Sequence, residues 1–143
     1  MPSDKNLSIG CGGFEPAFLK INWACDIDEL SYTLLKSNGW AGTFFPCSCH
    51  KIPYSNHFFR VAVCSEVIEH LPTEELVRET FLEVARVAKF FIFTTPYIDV
   101  HEPTHNFIFS LADIQKLTDG LDVVLEQDRK FIYIHNGGRK LFS

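Results

Sequence analysis

The stretch Phe58–Ser65 reads F-F-R-V-A-V-C-S and constrains the fold more than any other segment. It is apolar at almost every position, so neither face of an extended chain there can be left in water. It therefore predicts a central strand covered on both sides, as in a parallel sheet. The segments around it alternate between strand-like and helix-like patterns. That alternation sets the class as α/β, with a mostly parallel sheet.

Asn6–Ile9 is a short apolar strand that runs into Gly10-Cys11-Gly12-Gly13. Asn22–Ile27 and Gly42–Cys47 give the second and third strands, and Phe58–Ser65 the fourth. Only one or two helical turns fit between the first two. Glu29–Ser37 reads as a helix, with Asp28 as its N-cap and Asn38-Gly39 as its stop. The clearest helix begins at a Thr73 cap. Glu74 and Glu75 suit its positive end, and Arg86 and Lys89 its negative end; Val77, Phe81, Val84, Ala85 and Ala88 share one face. Phe90–Thr95 is a fifth strand stopped by Pro96. Ser110–Asp119 is a helix with Ser110 and Asp113 spaced as a capping box and Gly120 at its end. Leu121–Glu126 and Lys130–His135 form an antiparallel closing pair. The turn Asn136-Gly137-Gly138 leaves open a further edge strand at Lys140-Leu141-Phe142.

At 143 residues, 46% apolar and 22% charged, the chain suits one domain, 1–143, with a core that needs no staples. Aromatics at 14%, with 14 Phe, predict a ring-rich core and a ring-rich surface on which a homodimer could form. A net charge of −5 gives no electrostatic footprint for nucleic acid, and Arg129, Lys130, Arg139 and Lys140 read as a solvated edge. No run reaches the length that crosses a bilayer. The cysteines Cys11, Cys25, Cys47, Cys49 and Cys64 are odd in number, and no secretory signal is seen. Both features predict reduced thiols in a cytoplasm. Cys47-Ser48-Cys49-His50 has neither the second Cys pair nor the spacing of a zinc site.

A glycine turn straight after the first strand lets backbone approach a ligand closely. Gly10, Gly12 and Gly13 provide it, while Glu15 stands where a dinucleotide cradle has its third glycine and would repel a pyrophosphate. An acid at the end of the next strand is placed for two ribose hydroxyls. Asp26 is the better candidate, since Asp28 already has a structural reading as a cap. Val63-Cys64-Ser65-Glu66-Val67-Ile68-Glu69-His70-Leu71 then closes the fourth strand, with Glu66, Glu69 and His70 too polar to be core filler.

With these residues in hand, the chain resembles the class I S-adenosylmethionine-dependent methyltransferases, in particular small enzymes with an E-V-I-E-H-L motif after the fourth strand. Leu7–Gly12 resembles their first motif, and Ala24–Asp28 the strand carrying the ribose acid. Ile52-Pro53-Tyr54 with Phe59–Val63, Phe91–Pro96 and Phe109–Ile114 resemble the later stretches, all in order. The resemblance implies a Rossmann-like doubly wound sheet with an antiparallel C-terminal strand, and S-adenosyl-L-methionine as cofactor. It sets Gly10, Cys11, Gly12 and Gly13 along the methionine part, Asp26 on the ribose and Ile27 against adenine. Ser48 and Cys49 flank the adenine edge, and Ser65 and Glu66 face the methyl group. The acceptor is left unidentified. His70 is the candidate base, with Glu66 second; Tyr97, His101 and His105 line the acceptor side. The chain departs from the pattern at Ser8, where an acid is usual before the first glycine. It departs again at Phe14 for the third glycine, at Ser48 for the acid beside adenine, and at Arg60 for Asp. The usual Pro-Gly-Gly is missing at Ala88-Lys89-Phe90, which implies a tighter helix-to-strand connection.

The main reading assigns no metal ligand. A narrower resemblance, to small-RNA 3′-terminal 2′-O-methyltransferases, would gather Glu66, Glu69, His70 and His105 around a divalent ion. A third alternative is a non-catalytic module that keeps the fold as a partner or sensor.

Overall fold

A computed structural model describes residues 4–13, 15–98 and 102–138. It contains strands β1 (Asn6–Ile9), β2 (Trp23–Asp26), β3 (Thr43–Pro46), β4 (Phe59–Ser65), β5 (Ala88–Pro96), β6 (Val124–Gln127) and β7 (Phe131–His135). The helices are α1 (Glu15–Leu19), α2 (Leu30–Ser37), α3 (Glu74–Val87) and α4 (Leu111–Leu117), with a 3-10 turn at Ile68–His70. The strands form one sheet in the order β3-β2-β1-β4-β5-β7-β6. The first five are parallel, while β7 is antiparallel to both β5 and β6. The expected α/β sheet with its antiparallel end is therefore present. The possible edge strand at Lys140-Leu141-Phe142 lies outside the described residues.

The sheet is covered on both faces, and β2 shows how. Successive side chains of a strand point to opposite faces. Cys25 faces the main core with Phe45, Phe59 and the α3 residues Val77, Phe81 and Val84. Its neighbour Ala24 faces a second cluster with Cys11, Trp40 and Leu35 of α2. Rings lock the main core near β3: Trp23 sits edge-on to Phe45, Tyr54, Phe58 and Phe59, with centroids 5.5–6.3 Å apart. Of the rings among the described residues only Phe18 and Phe90 are well exposed, so the expected ring-rich surface is not there. Most phenylalanines among the described residues are buried or half-buried.

Helix ends follow the side chains that can satisfy free backbone groups. Thr73 Oγ1 accepts from Leu76 N–H at 3.2 Å, and Ser110 and Asp113 form the reciprocal box at 3.1 and 2.8 Å. Asp28 departs from expectation. The N-cap of α2 is Glu29, whose backbone is already helical and whose side chain caps nothing. Asp28 Oδ1 nevertheless takes the Leu30 N–H at 2.9 Å, so its carboxylate serves the same donors from one residue further out. The helix α3 passes into β5 with no residue between Val87 and Ala88. This is the tight junction implied by the missing Pro-Gly-Gly, and it lengthens β5 to Ala88–Pro96. Arg86 braces the turn before β4 by donating to Tyr54 O at 2.8 Å and Ile52 O at 3.0 Å.

Candidate active site

In an open α/β sheet a ligand crevice opens beyond the carboxyl ends of the strands, where the chain direction diverges. Here β1 and β4 are adjacent while their connections run to opposite sides. A cleft of about 440 Å³ opens there, lined by Ile9, Gly10, Asp26, Ile27, Cys47, Ser48, Cys49, His50, Glu66, Val67, His70, Leu71, Pro72 and Leu76. That volume falls in the range of small-molecule sites. Read along the sheet edge, the order is Ser48 and Cys49 after β3, Asp26 on β2, Gly10 after β1 and Glu66 after β4.

The glycine turn is shaped by contact as well as by conformation. Gly10 has φ +62°, and a Cβ there would lie 2.5 Å from Val67 Cγ2. A Cβ on Gly13 would lie 2.7 Å from Leu34 Cβ, so Gly13 packs on α2 and not on the cleft. Gly12, with φ +56° and nothing within 4 Å of where a Cβ would stand, donates its N–H to Asp26 Oδ2 at 3.1 Å. Asp26 Oδ1 accepts from Asp28 N–H at 3.0 Å. The two backbone donors hold the carboxylate at the cleft, and each oxygen keeps a further lone pair.

The cleft brings together Gly10, Asp26, Ile27, Ser48, Cys49, Glu66 and His70 from the residues expected there. Cys11 is not among the residues that line the cleft. Its side chain is buried with Ala24, Leu35 and Trp40, and burial, followed by the Asp26 charge, pushes its thiol up to about 12. Ser65 also falls outside that lining, with its hydroxyl 3.1 Å from Thr94 Oγ1. Cys49 Sγ lies 3.3 Å from Thr80 Oγ1 on α3. Tyr97 is partly buried and packs against the main core. Phe14 and His101 lie outside the described residues.

Glu66 has φ +59°, a left-handed backbone that costs a non-glycine residue on the order of 1–3 kcal/mol. Its N–H donates to Thr94 O at 2.9 Å, which holds the turn. Thr94 Oγ1 donates to its carboxylate at 3.3 Å. Burial, then the Glu69 charge, raises the Glu66 carboxyl to about 7. Glu69 is fully buried. Its Oε1 accepts from Thr95 Oγ1 at 3.2 Å, its Oε2 has no hydrogen-bond partner among the described residues, and burial raises its carboxyl to about 7.

His70 Nδ1 lies 3.0 Å from Thr104 O. A carbonyl can only accept, so Nδ1 donates this bond, and in the neutral ring the lone pair lies on Nε2. That nitrogen is 3.9 Å from Glu69 Oε2, and His105 Nε2 is 4.0 Å from the same oxygen. Ligand atoms of Glu69, His70 and His105 all lie within 4.8 Å of one another. Glu66 stands outside this trio. The Glu69 carbonyl fixes the loop bearing His105, accepting from Asn106 and Phe107 N–H at 2.8 and 3.2 Å.

Sequence reasoning missed two contributors. Val67 closes against Gly10, a contact no spacing rule announces. Glu15 reaches back over the turn to accept the Ser8 hydroxyl at 2.6 Å. The one signal for the second pair was the loss of an acid at position 8 with an acid appearing seven residues later.

Among solved structures, the chain is similar to the PH0226 protein of Pyrococcus horikoshii OT3, with a TM-score of 0.70 at 17% identity over 92% of this chain and 80% of that one. An S-adenosylmethionine-dependent methyltransferase of Clostridium acetobutylicum gives 0.68 at 12% identity, over 91% and 82%. One of Methanosarcina mazei gives 0.69 at 14%, over 94% and 92%. No protein-family model and no curated protein sequence matches the chain. At these identities the likeness is one of fold, and it gives the conclusion that this chain has the Rossmann-like α/β fold of the class I methyltransferases.

Proposed function

We propose that the chain is an S-adenosylmethionine-dependent methyltransferase acting as a single domain. The observation that carries the reading is the Gly12 N–H to Asp26 carboxylate bond at the mouth of the cleft. It joins a close-approach turn to an acid that retains acceptor capacity for a vicinal diol, which is what a nucleoside ligand needs. Similar structures named as S-adenosylmethionine-dependent methyltransferases support the choice of nucleoside. On this reading Gly10 and Gly12 border the sulfonium end, Asp26 receives the ribose and Ile27 covers adenine. Ser48 and Cys49 border its edge. Cys11 and Gly13 shape the turn from behind.

The cofactor supplies an already activated methyl group. The protein's task is then alignment, which alone is worth several kcal/mol of barrier. His70, which lines the cleft and in its neutral form has its lone pair on Nε2, takes the proton released by an attacking hydroxyl or amine. Glu66, held near neutrality by its neighbours, is the second candidate. Mass spectrometry of small molecules released from the purified protein tests the assignment. S-adenosylmethionine or its demethylated product is the expected species; a nicotinamide or flavin nucleotide in its place would refute it.

One observation favours a second reading for the acceptor side. Glu69 Oε2 is buried without a hydrogen-bond partner among the described residues and lies near two imidazoles. One carboxylate and two neutral nitrogens suit a divalent transition metal. Such an ion would satisfy that oxygen and offer open positions to oxygen atoms of an acceptor. In that case His70 is a ligand and Glu66 is left to receive the proton.

A further inference from the structure

We propose that the sheet face opposite the main core, over β4, β5 and β7, is an interface between two copies of this chain. The cover seen at β2 does not extend across that face. On the core side these strands are closed: Ala62, Cys64, Phe91, Phe93, Ile132 and Ile134 are all buried. Successive residues point to opposite faces, so Val61, Val63, Phe90, Ile92 and Phe131 share the other one. All five are half-buried or exposed, and none packs in either core cluster. The second cluster, around Ala24, Leu35 and Trp40, takes nothing from β4, β5 or β7. A parallel strand at the centre of a sheet is ordinarily buried on both faces, and β4 is such a strand. The two well-exposed rings border the same face. Phe90 lies on it, and Phe18 follows Glu15 by one turn of α1, on the side that bonds Ser8.

The charges at the two ends of this face select its occupant. At the amino-terminal end of β4 and β5 the register sets Arg60 beside Lys89, and both are exposed. Lys89 Nζ lies 5.4 Å from the centre of the Phe90 ring, and no ion pair among the described residues includes either cation. At the carboxyl-terminal end stands Glu66, directly after β4. Asp128 stands there too, accepting from the Tyr133 hydroxyl at 2.7 Å, because β7 begins opposite the end of β5. A face positive at one end and negative at the other complements a second copy of itself turned end for end. A two-fold axis between the sheets, perpendicular to the strands and near Val63 and Ile92, produces that arrangement. Val63 and Ile92 of the two copies then bury one another, which supplies the driving force. Arg60 and Lys89 of each copy lie over Glu66 and Asp128 of the other, across the roughly 10 Å that separates stacked sheets. The second copy thereby brings cations to the Glu66 end of the cleft.

Analytical ultracentrifugation over a range of protein concentrations tests this. Wild type should pass from the mass of one chain to that of two as concentration rises. Ile92→Asp, and Arg60→Glu combined with Lys89→Glu, should each raise the dimer dissociation constant by about tenfold or more. The charge pattern adds a requirement that a misfolded variant could not meet. A copy carrying Glu66→Lys and Asp128→Lys should associate poorly with itself. It should nevertheless pair with the Arg60→Glu, Lys89→Glu copy, since opposite charges then meet at both ends. Wild type that stays monomeric up to about 1 mM would overturn the proposal, as would a dimer unaffected by Ile92→Asp. Two charge variants that are folded by circular dichroism and do not pair with each other would overturn the end-for-end arrangement. The interface rests on no ligand, so each of these outcomes leaves the methyltransferase reading where it stands.

Discussion

The Gly12 N–H donates to Asp26 Oδ2 across 3.1 Å, although the two residues lie 14 positions apart. The bond fastens the glycine turn after β1 to the end of β2 and fixes the depth of the cleft between them. Gly10 secures the same turn by a different route, through the space it leaves for Val67.

These two glycines should respond differently to alanine. Both have positive φ, so each substitution incurs backbone strain of about 1–2 kcal/mol. Gly10→Ala adds a contact of 2.5 Å with Val67, whereas Gly12→Ala meets nothing within 4 Å. Urea unfolding should find Gly10→Ala the more destabilised by about 1 kcal/mol or more. Adding Val67→Ala should recover part of that excess relative to Val67→Ala alone. Equal losses at the two glycines would refute the packing account of the turn.

Glu69 gives a pH dependence with a definite sign. Burial raises its carboxyl from 4.5 to about 7 in the folded chain. Between those values the folded state holds a proton that the unfolded state releases. The group's contribution is therefore complete below about pH 4.5 and is lost as pH rises through about 7. Glu69→Gln removes this titration. Measured without metal from pH 5 to 8, the variant should gain stability relative to wild type on the order of 1–2 kcal/mol. A difference that stays flat with pH would show that Glu69 is charged throughout.

If Glu69, His70 and His105 hold a metal, Co²⁺ should bind and give visible absorption bands of a mixed nitrogen and oxygen site. His105→Ala should weaken binding by about 10- to 100-fold. The melting temperature of wild type should rise with Co²⁺ while that of His105→Ala should not. Bands that are unchanged in the variant would place the ion elsewhere.

Much of this was legible in the sequence because it depends on period and composition. The apolar run at β4, the capping box at Ser110 and the glycine turn each have a local cause, and each was found at its expected place. Boundaries moved where tertiary contacts intervened. The helix α3 ends at Val87, so Ala88 and Lys89, read as its last turn, belong to β5. Cys11 could not be read correctly, since its neighbours Ala24, Leu35 and Trp40 come from three later segments. The same is true of Glu69, whose surroundings are built from β5 and from the loop at His105. Glu15 was read for what it excludes, a pyrophosphate, and its bond to Ser8 emerges only when α1 folds back over β1.

Titration calorimetry of the purified chain with S-adenosylmethionine, alongside Asp26→Ala, tests the central claim most directly. The account predicts saturable one-to-one binding by wild type and a loss of about 10- to 100-fold in the variant, the magnitude of a charge-assisted bond to the ribose. No heat at millimolar cofactor, or equal affinity in wild type and Asp26→Ala, would contradict it.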